Sequence, residues 1–187
     1  SYLKLKQDLS RHKSDHAANS AKTLRYVGGE FVPAVWTEVK VGDFLKVGNR
    51  EGLPADILLV AAHEPDPAHP AGACYIETKS LDGETNLKGR SVPKPLTAAC
   101  GGTLASQAAA CGAISGHVEC EQPNAATRKF VGTLTLRASG GASEETVPLG
   151  INNVLLRGSV VRNSEYVIGL VINTGVDTKV MQGARRP

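Results

Sequence analysis

One short run has residue types and spacing that could do chemistry. Asp82-Gly83-Glu84-Thr85 sets a carboxylate directly after a glycine, inside the longer stretch Tyr75-Ile76-Glu77-Thr78-Lys79-Ser80-Leu81-Asp82-Gly83-Glu84-Thr85-Asn86-Leu87-Lys88. Tyr75, Ile76 and Thr78 favour extended backbone, so the stretch reads as a strand running into a turn. Asp82-Gly83 is a turn pair, because glycine takes positive φ without steric cost and aspartate can bond its own backbone. Glu84 would then project from the tip of a tight loop. A carboxylate there can reach into another surface. The same four residues also make an ordinary hairpin signal with a solvated glutamate. The pattern around them decides between the two.

That pattern is long. Upstream of the loop stand Trp36, Val41-Gly42-Asp43 and Pro54-Ala55-Asp56-Ile57-Leu58-Leu59. Downstream stand Cys120-Glu121-Gln122-Pro123-Asn124, Phe130-Val131-Gly132, Leu155-Leu156-Arg157-Gly158-Ser159, Arg162-Asn163 and Gly175-Val176-Asp177-Thr178-Lys179. With Asp82-Gly83-Glu84-Thr85-Asn86-Leu87-Lys88 at the centre, the chain resembles the actuator domain of the type IV P-type ATPases, the phospholipid flippases. The Val-Gly-Asp and Pro-Ala-Asp blocks fit any P-type ATPase. Asp82 and Asn86-Leu87-Lys88 point to the lipid branch, because ion pumps usually carry Thr-Gly-Glu at the loop.

The resemblance implies a mainly β fold, a distorted jelly roll or β-barrel with short peripheral helices. It also implies a role. An aspartate on a separate domain is phosphorylated by ATP with Mg2+, and the actuator brings its loop onto that phosphate. Glu84 would orient the attacking water and accept its proton. Gly83 would let backbone approach the phosphate, Asp82 and Thr85 would hold the loop, and Asp82 would also help to position the water. The implied partners are the phosphorylation and nucleotide-binding domains of the same polypeptide, membrane helices on either side and an accessory β-subunit. The implied place is the cytosolic face of a Golgi, endosomal or plasma membrane. Neither Asp-Lys-Thr-Gly-Thr nor a Gly-x4-Gly-Lys-Ser/Thr loop occurs in the sequence, so the isolated chain is not expected to turn over ATP or to hold a cofactor. Ala125-Ala126-Thr127 and Gly183 depart from the family pattern, at positions expected to touch docking surfaces.

Composition sets the outer bounds. The 187 residues are 41% hydrophobic and only 4% aromatic, so a core must be built from Val, Leu, Ile and Ala. A formal charge of +3 gives no case for a nucleic-acid partner. No apolar run reaches the roughly 20 residues of a membrane helix. The four cysteines show no Cys-x-x-Cys, and there is no Asn-x-Ser/Thr, which suits a reducing compartment. His63 with His69, and Cys111 with His117 and Cys120, do not match metal-site spacings.

Along the chain, residues 1–25 read as a polar, basic lead-in, either helical or a solvated, frayed terminus and membrane-proximal by the resemblance, and 26–187 as the domain. Val27-Gly28-Gly29 predicts a turn, and Pro33 places its strand at a sheet edge. Trp36 to Val39 and Phe44 to Val47 read as strands around a turn at Gly42-Asp43. Pro54-Ala55-Asp56 opens a buried strand through Val60, with Asp56 expected to hydrogen-bond rather than to catalyse. Residues 63–72 read as a proline-rich surface loop. The uncharged stretch 97–116 reads either as a short helix capped by Thr103 and ended at Gly112 or as a flexible excursion. Further strands are expected at Phe130 to Arg137, Val147 to Leu149, Val154 to Leu156, Val160 to Arg162 and Tyr166 to Asn173, with a short helix closing the chain. A stand-alone β-domain that binds a partner without chemistry is the rival reading, and the flanking gene sequence would separate the two.

Overall fold

A computed structural model describes residues 20–66, 68 and 72–185. The fold is mainly β, with three antiparallel sheets and short helices at their margins. The largest has the order β10-β4-β12-β3-β1-β2: β1 is Lys22–Val27, β2 Glu30–Val35, β3 Phe44–Gly48, β4 Asp56–His63, β10 Val154–Leu155 and β12 Tyr166–Asn173. The second has the order β11-β5-β6, with β5 at Ala73–Glu77, β6 at Lys88–Ser91 and β11 at Val160–Arg162. The third has the order β7-β8-β9, with β7 at Gly116–Cys120, β8 at Gly132–Arg137 and β9 at Glu144–Leu149.

The core follows from the apolar runs. Leu45, Leu53, Ile57, Leu59, Ile76, Leu155 and Ile168 are fully buried, and one continuous cluster joins residues of all three sheets. β4 is buried over six successive residues from Asp56 to Ala61, so both of its faces are covered. That is why its sequence is a continuous apolar run rather than an alternation. β2 is the outermost strand of its sheet, where the missing N–H of Pro33 costs no interior pairing.

Several expectations need correction. β1 begins at Lys22, inside the stretch read as a lead-in, and residues 1–19 lie outside the described residues, as do Pro67, His69 and Pro70. Trp36–Glu38 forms a 3-10 turn rather than a strand. The Glu38 carboxylate accepts the Val35 N–H at 3.2 Å, and Val39 N–H donates to the Trp36 carbonyl. β4 continues to His63, whose ring stacks on Tyr166 at a centroid distance of 5.1 Å. The uncharged stretch is helical, and Thr103 does cap it: α3, Leu104–Ala113, ends one residue beyond Gly112. Its Gln107 accepts the Tyr166 hydroxyl at 2.5 Å, which ties the helix to β12. A helix the sequence did not suggest, α2 at Lys94–Ala99, buries Leu96.

Candidate functional site

The loop at residues 78–87 connects β5 to β6, the central strand of the second sheet to an edge strand. It opens with one helical turn, α1 at Lys79–Asp82, where a plain hairpin turn was expected. Two contacts explain the helical turn. Thr78, itself buried, donates its hydroxyl to both Asp82 carboxylate oxygens at 3.1 Å, one turn ahead. Ser80 donates its hydroxyl to the Gly158 carbonyl at 2.5 Å, which pins the turn to the segment before β11. Gly83 ends the turn at φ 74° and closes it with an N–H bond to the Lys79 carbonyl at 2.9 Å. A side chain would be strained there. Nothing lies within 4 Å of where a Cβ would stand, so the backbone at Gly83 is open to an approaching group.

Asp82 and Glu84 divide the work of the loop. Asp82 is turned inward, 13% exposed, and its carboxylate accepts from the Lys88 ammonium at 2.6 Å and the Glu84 N–H at 2.9 Å besides Thr78. The hydrogen bond from Lys88 is the main reason its pKa falls to about 2; burial opposes this, while the Glu84 and Thr78 bonds add to it. Glu84 is 41% exposed and bonds no backbone group. One oxygen takes Lys88 at 2.9 Å and the other takes Arg128 at 2.5 Å. Lys88 therefore bridges the two carboxylates, and the pair raises its own pKa through hydrogen bonds, Asp82 first. Thr85 lies exposed and makes no side-chain hydrogen bond among the described residues, so its expected part in holding the loop has no visible partner.

A second polar centre forms around Asp56, which the sequence read as a turn or hydrogen-bonding residue. Asp56 is buried, and its carboxylate accepts the N–H of Arg157 and of Lys179, each at 2.9 Å. Burial drives its pKa up, and the two backbone bonds and the charges of Lys179 and Arg157 only partly oppose this. Lys179 opens α4, Lys179–Ala184, and buries its stem. Its ammonium reaches Glu121 at 2.9 Å and the Asn124 side-chain oxygen at 2.8 Å. For Glu121, burial works upward, but the bonds from Lys179 and Asn124 outweigh it and hold the pKa down. One carboxylate thus fixes both supports of the loop: Arg157 beside Gly158, which holds Ser80, and Lys179, which holds the segment leading to Arg128.

Thr78 and Lys88 were inside the stretch singled out by sequence, but their roles were not assigned. The signals existed: Thr78 lies four residues before Asp82, and Lys88 four after Glu84. Arg128 carried no local signal, being 44 residues from its partner. The site is a projecting tip, not a cleft. A depression of about 490 Å³ lies elsewhere, against Ala110, Ile114, Leu136 and Arg137. No group of three His, Cys, Asp or Glu side chains among the described residues could hold a metal ion, and no described helix is long and apolar enough to cross a membrane.

No family model matches the sequence. Individual proteins do. Mouse phospholipid-transporting ATPase ID is 42% identical over 179 residues, 96% of this chain and 13% of its own length. The Xenopus tropicalis phospholipid-transporting ATPase IC is 36% identical over 180 residues, again 96% of this chain and 13% of its own. The Chaetomium thermophilum phospholipid-transporting ATPase DNF1 is 41% identical over 155 residues, 80% of this chain and 9% of its own. A solved zinc-transporting PIB-type ATPase in its E2.Pi state covers 92% of this chain and 18% of that chain, at TM-score 0.47 and 12% identity. That last likeness is too slight to carry an argument.

Proposed function

We propose that this chain, which is related over nearly its whole length to one segment of the phospholipid-transporting ATPases, is the actuator domain of such an enzyme and that its loop hydrolyses the aspartyl-phosphate intermediate. The observation that carries this reading is the contrast within the loop. Asp82 is locked to the base of the turn, while Glu84 stands at the tip, beside an open αL glycine, held only by side chains. A base that works on another domain needs that arrangement: a fixed backbone and a carboxylate free to change partners. In the step itself, a water oxygen bonds to phosphorus, the bond from phosphorus to the aspartate oxygen breaks, and Glu84 receives the water proton. A positioned base of this kind typically contributes about 10²–10⁴-fold.

In this reading the phosphorylated aspartate, and the residues that would hold ATP and Mg2+, lie in other parts of a longer polypeptide. Coupling of the hydrolysis to phospholipid movement, the flanking membrane helices, an accessory subunit and the cytosolic side of the membrane belong to the same proposal. The test uses the full-length protein. Glu84→Gln keeps the shape of the side chain and removes its basicity. Phosphoenzyme should form at the wild-type level from radiolabelled ATP and then persist after an unlabelled chase. Decay at the wild-type rate would remove the loop from the hydrolytic step.

A further inference from the structure

The cation that holds Glu84 from outside the loop is bound to nothing else. Arg128 lies between β7 and β8, and among the described residues its one side-chain partner is Glu84. The Arg128 side chain is 72% exposed, and among the described residues only one of its N–H donors, on Nη2, is engaged. Lys88 is different, because its ammonium is also bonded to Asp82 at 2.6 Å. The backbone that carries Arg128 is held at both ends. Glu121 and Asn124 are tied to Lys179 on one side, and Phe130 is buried on the other. Arg128 is therefore presented at the loop tip by a fixed segment, but through a pair that solvent and competing anions can exchange.

We propose that Arg128 is a phosphate-binding positioning residue, parked on Glu84 in the undocked loop and transferred to the phosphoryl oxygens on docking. This rests on the reading of the loop given above. A phosphoryl group carries more charge than one carboxylate and offers a guanidinium two parallel acceptors, so it outcompetes Glu84 for the same donor. Two consequences follow from the one exchange. Positive charge arrives where negative charge is held in the hydrolytic step. The Glu84 oxygen that Arg128 occupied becomes available to the attacking water. The base is thus occupied until the substrate itself releases it. No such role follows from the motif, since Arg128 follows the very stretch, Ala125-Ala126-Thr127, where this sequence departs from the family pattern.

The probe is orthovanadate, a phosphate analogue, acting on the full-length protein. Arg128→Gln should raise the vanadate concentration for half-inhibition about tenfold or more, as expected for a lost charge-assisted bond. Arg128→Lys should recover part of that loss, because the charge returns without the fork. Phosphoenzyme should still form in Arg128→Gln, which shows a folded protein. Half-inhibition within twofold of wild type in Arg128→Gln would overturn the inference. If Glu84→Gln phosphoenzyme persists while Arg128→Gln leaves vanadate binding unchanged, only the role of Arg128 fails. If Glu84→Gln phosphoenzyme decays normally, the reading of the loop fails first.

Discussion

Removing the Asp56 carboxylate should expose how much of the loop depends on one buried group. In Asp56→Ala, the N–H groups of Arg157 and Lys179 lose their acceptors in a buried setting. Each unsatisfied group costs about 1–3 kcal/mol, or roughly 2–6 together. Part of this is offset, because a carboxylate whose pKa is raised by burial is itself unfavourably desolvated. A net loss of about 2–4 kcal/mol is expected, a large share of the ~5–15 typical of a domain. Urea melts of this chain should show a lower midpoint at an unchanged slope. Asp56→Asn keeps one acceptor and turns an amide N–H2 against the other donor, so it should recover less than half the loss. The pH dependence has a definite sign. A folded-state pKa above the unfolded value of about 3.9 means the Asp56 contribution to stability falls as pH rises through the folded value. The gap between wild type and Asp56→Ala should therefore narrow from about pH 4 upward. A loss under ~0.5 kcal/mol would refute the accounting of the two N–H groups, as would full recovery by asparagine.

Three further outcomes are expected. Leu58 is 1% exposed in β4, so Leu58→Ala should cost roughly 2–5 kcal/mol in the same melts, and a loss near zero would place that strand at the surface. A Cβ on Gly169 would stand 2.3 Å from Ile57 Cδ1 and 2.9 Å from Cγ1, with Ile57 fully buried, so Gly169→Ala should cost about 1–3 kcal/mol. Adding Ile57→Val should then cost less than its effect alone, and strict additivity would show that the strands do not meet there. Asp82, depressed to about 2 chiefly by Lys88, stabilises the fold above about pH 4 and loses that contribution as pH falls towards about 2. Asp82→Asn should flatten acid unfolding across that window, and an unchanged acid profile would mean the Lys88 contact does not persist in solution.

What the sequence made legible was what short-range physics decides. The run Ile57-Leu58-Leu59-Val60 could be read as a buried strand because burial on both faces needs no alternation. Pro33 marked an edge, and Gly83 marked a left-handed backbone position, since each is a steric property of one residue. The one-turn helix before Gly83 was only half legible: Thr78 four residues before Asp82 signalled it, but its second support, Ser80 meeting Gly158, lies 78 residues on. The 3-10 turn at Trp36 was missed for a related reason. A tryptophan, a threonine and a valine favour strand, but the Glu38 carboxylate capping Val35 decides otherwise. Arg128 was the hardest case. Nothing in its neighbours predicts that β7 and β8 deliver it to Glu84.

Under the proposed function, the placement of the carboxylates also explains why proximity to the loop is a poor guide to which acid would do the chemistry. Asp56 and Asp82 each accept a backbone N–H, and such a bond is given up only if the chain moves. Their partners are fixed, so these groups can hold a shape but cannot easily take a proton from a passing water. Glu84 bonds two side-chain cations and no backbone group, so it can trade partners while the turn beneath it stays closed. Arg137 with Glu144 also flanks open positive-φ glycines, Gly140 and Gly141, but among the described residues no carboxylate accepts a backbone N–H inside that turn as Asp82 does. Rigidity at Asp82 and exchangeability at Glu84 are therefore complementary requirements. Lys88, which bonds both, sets the distance at which the exchangeable group is held above the fixed one.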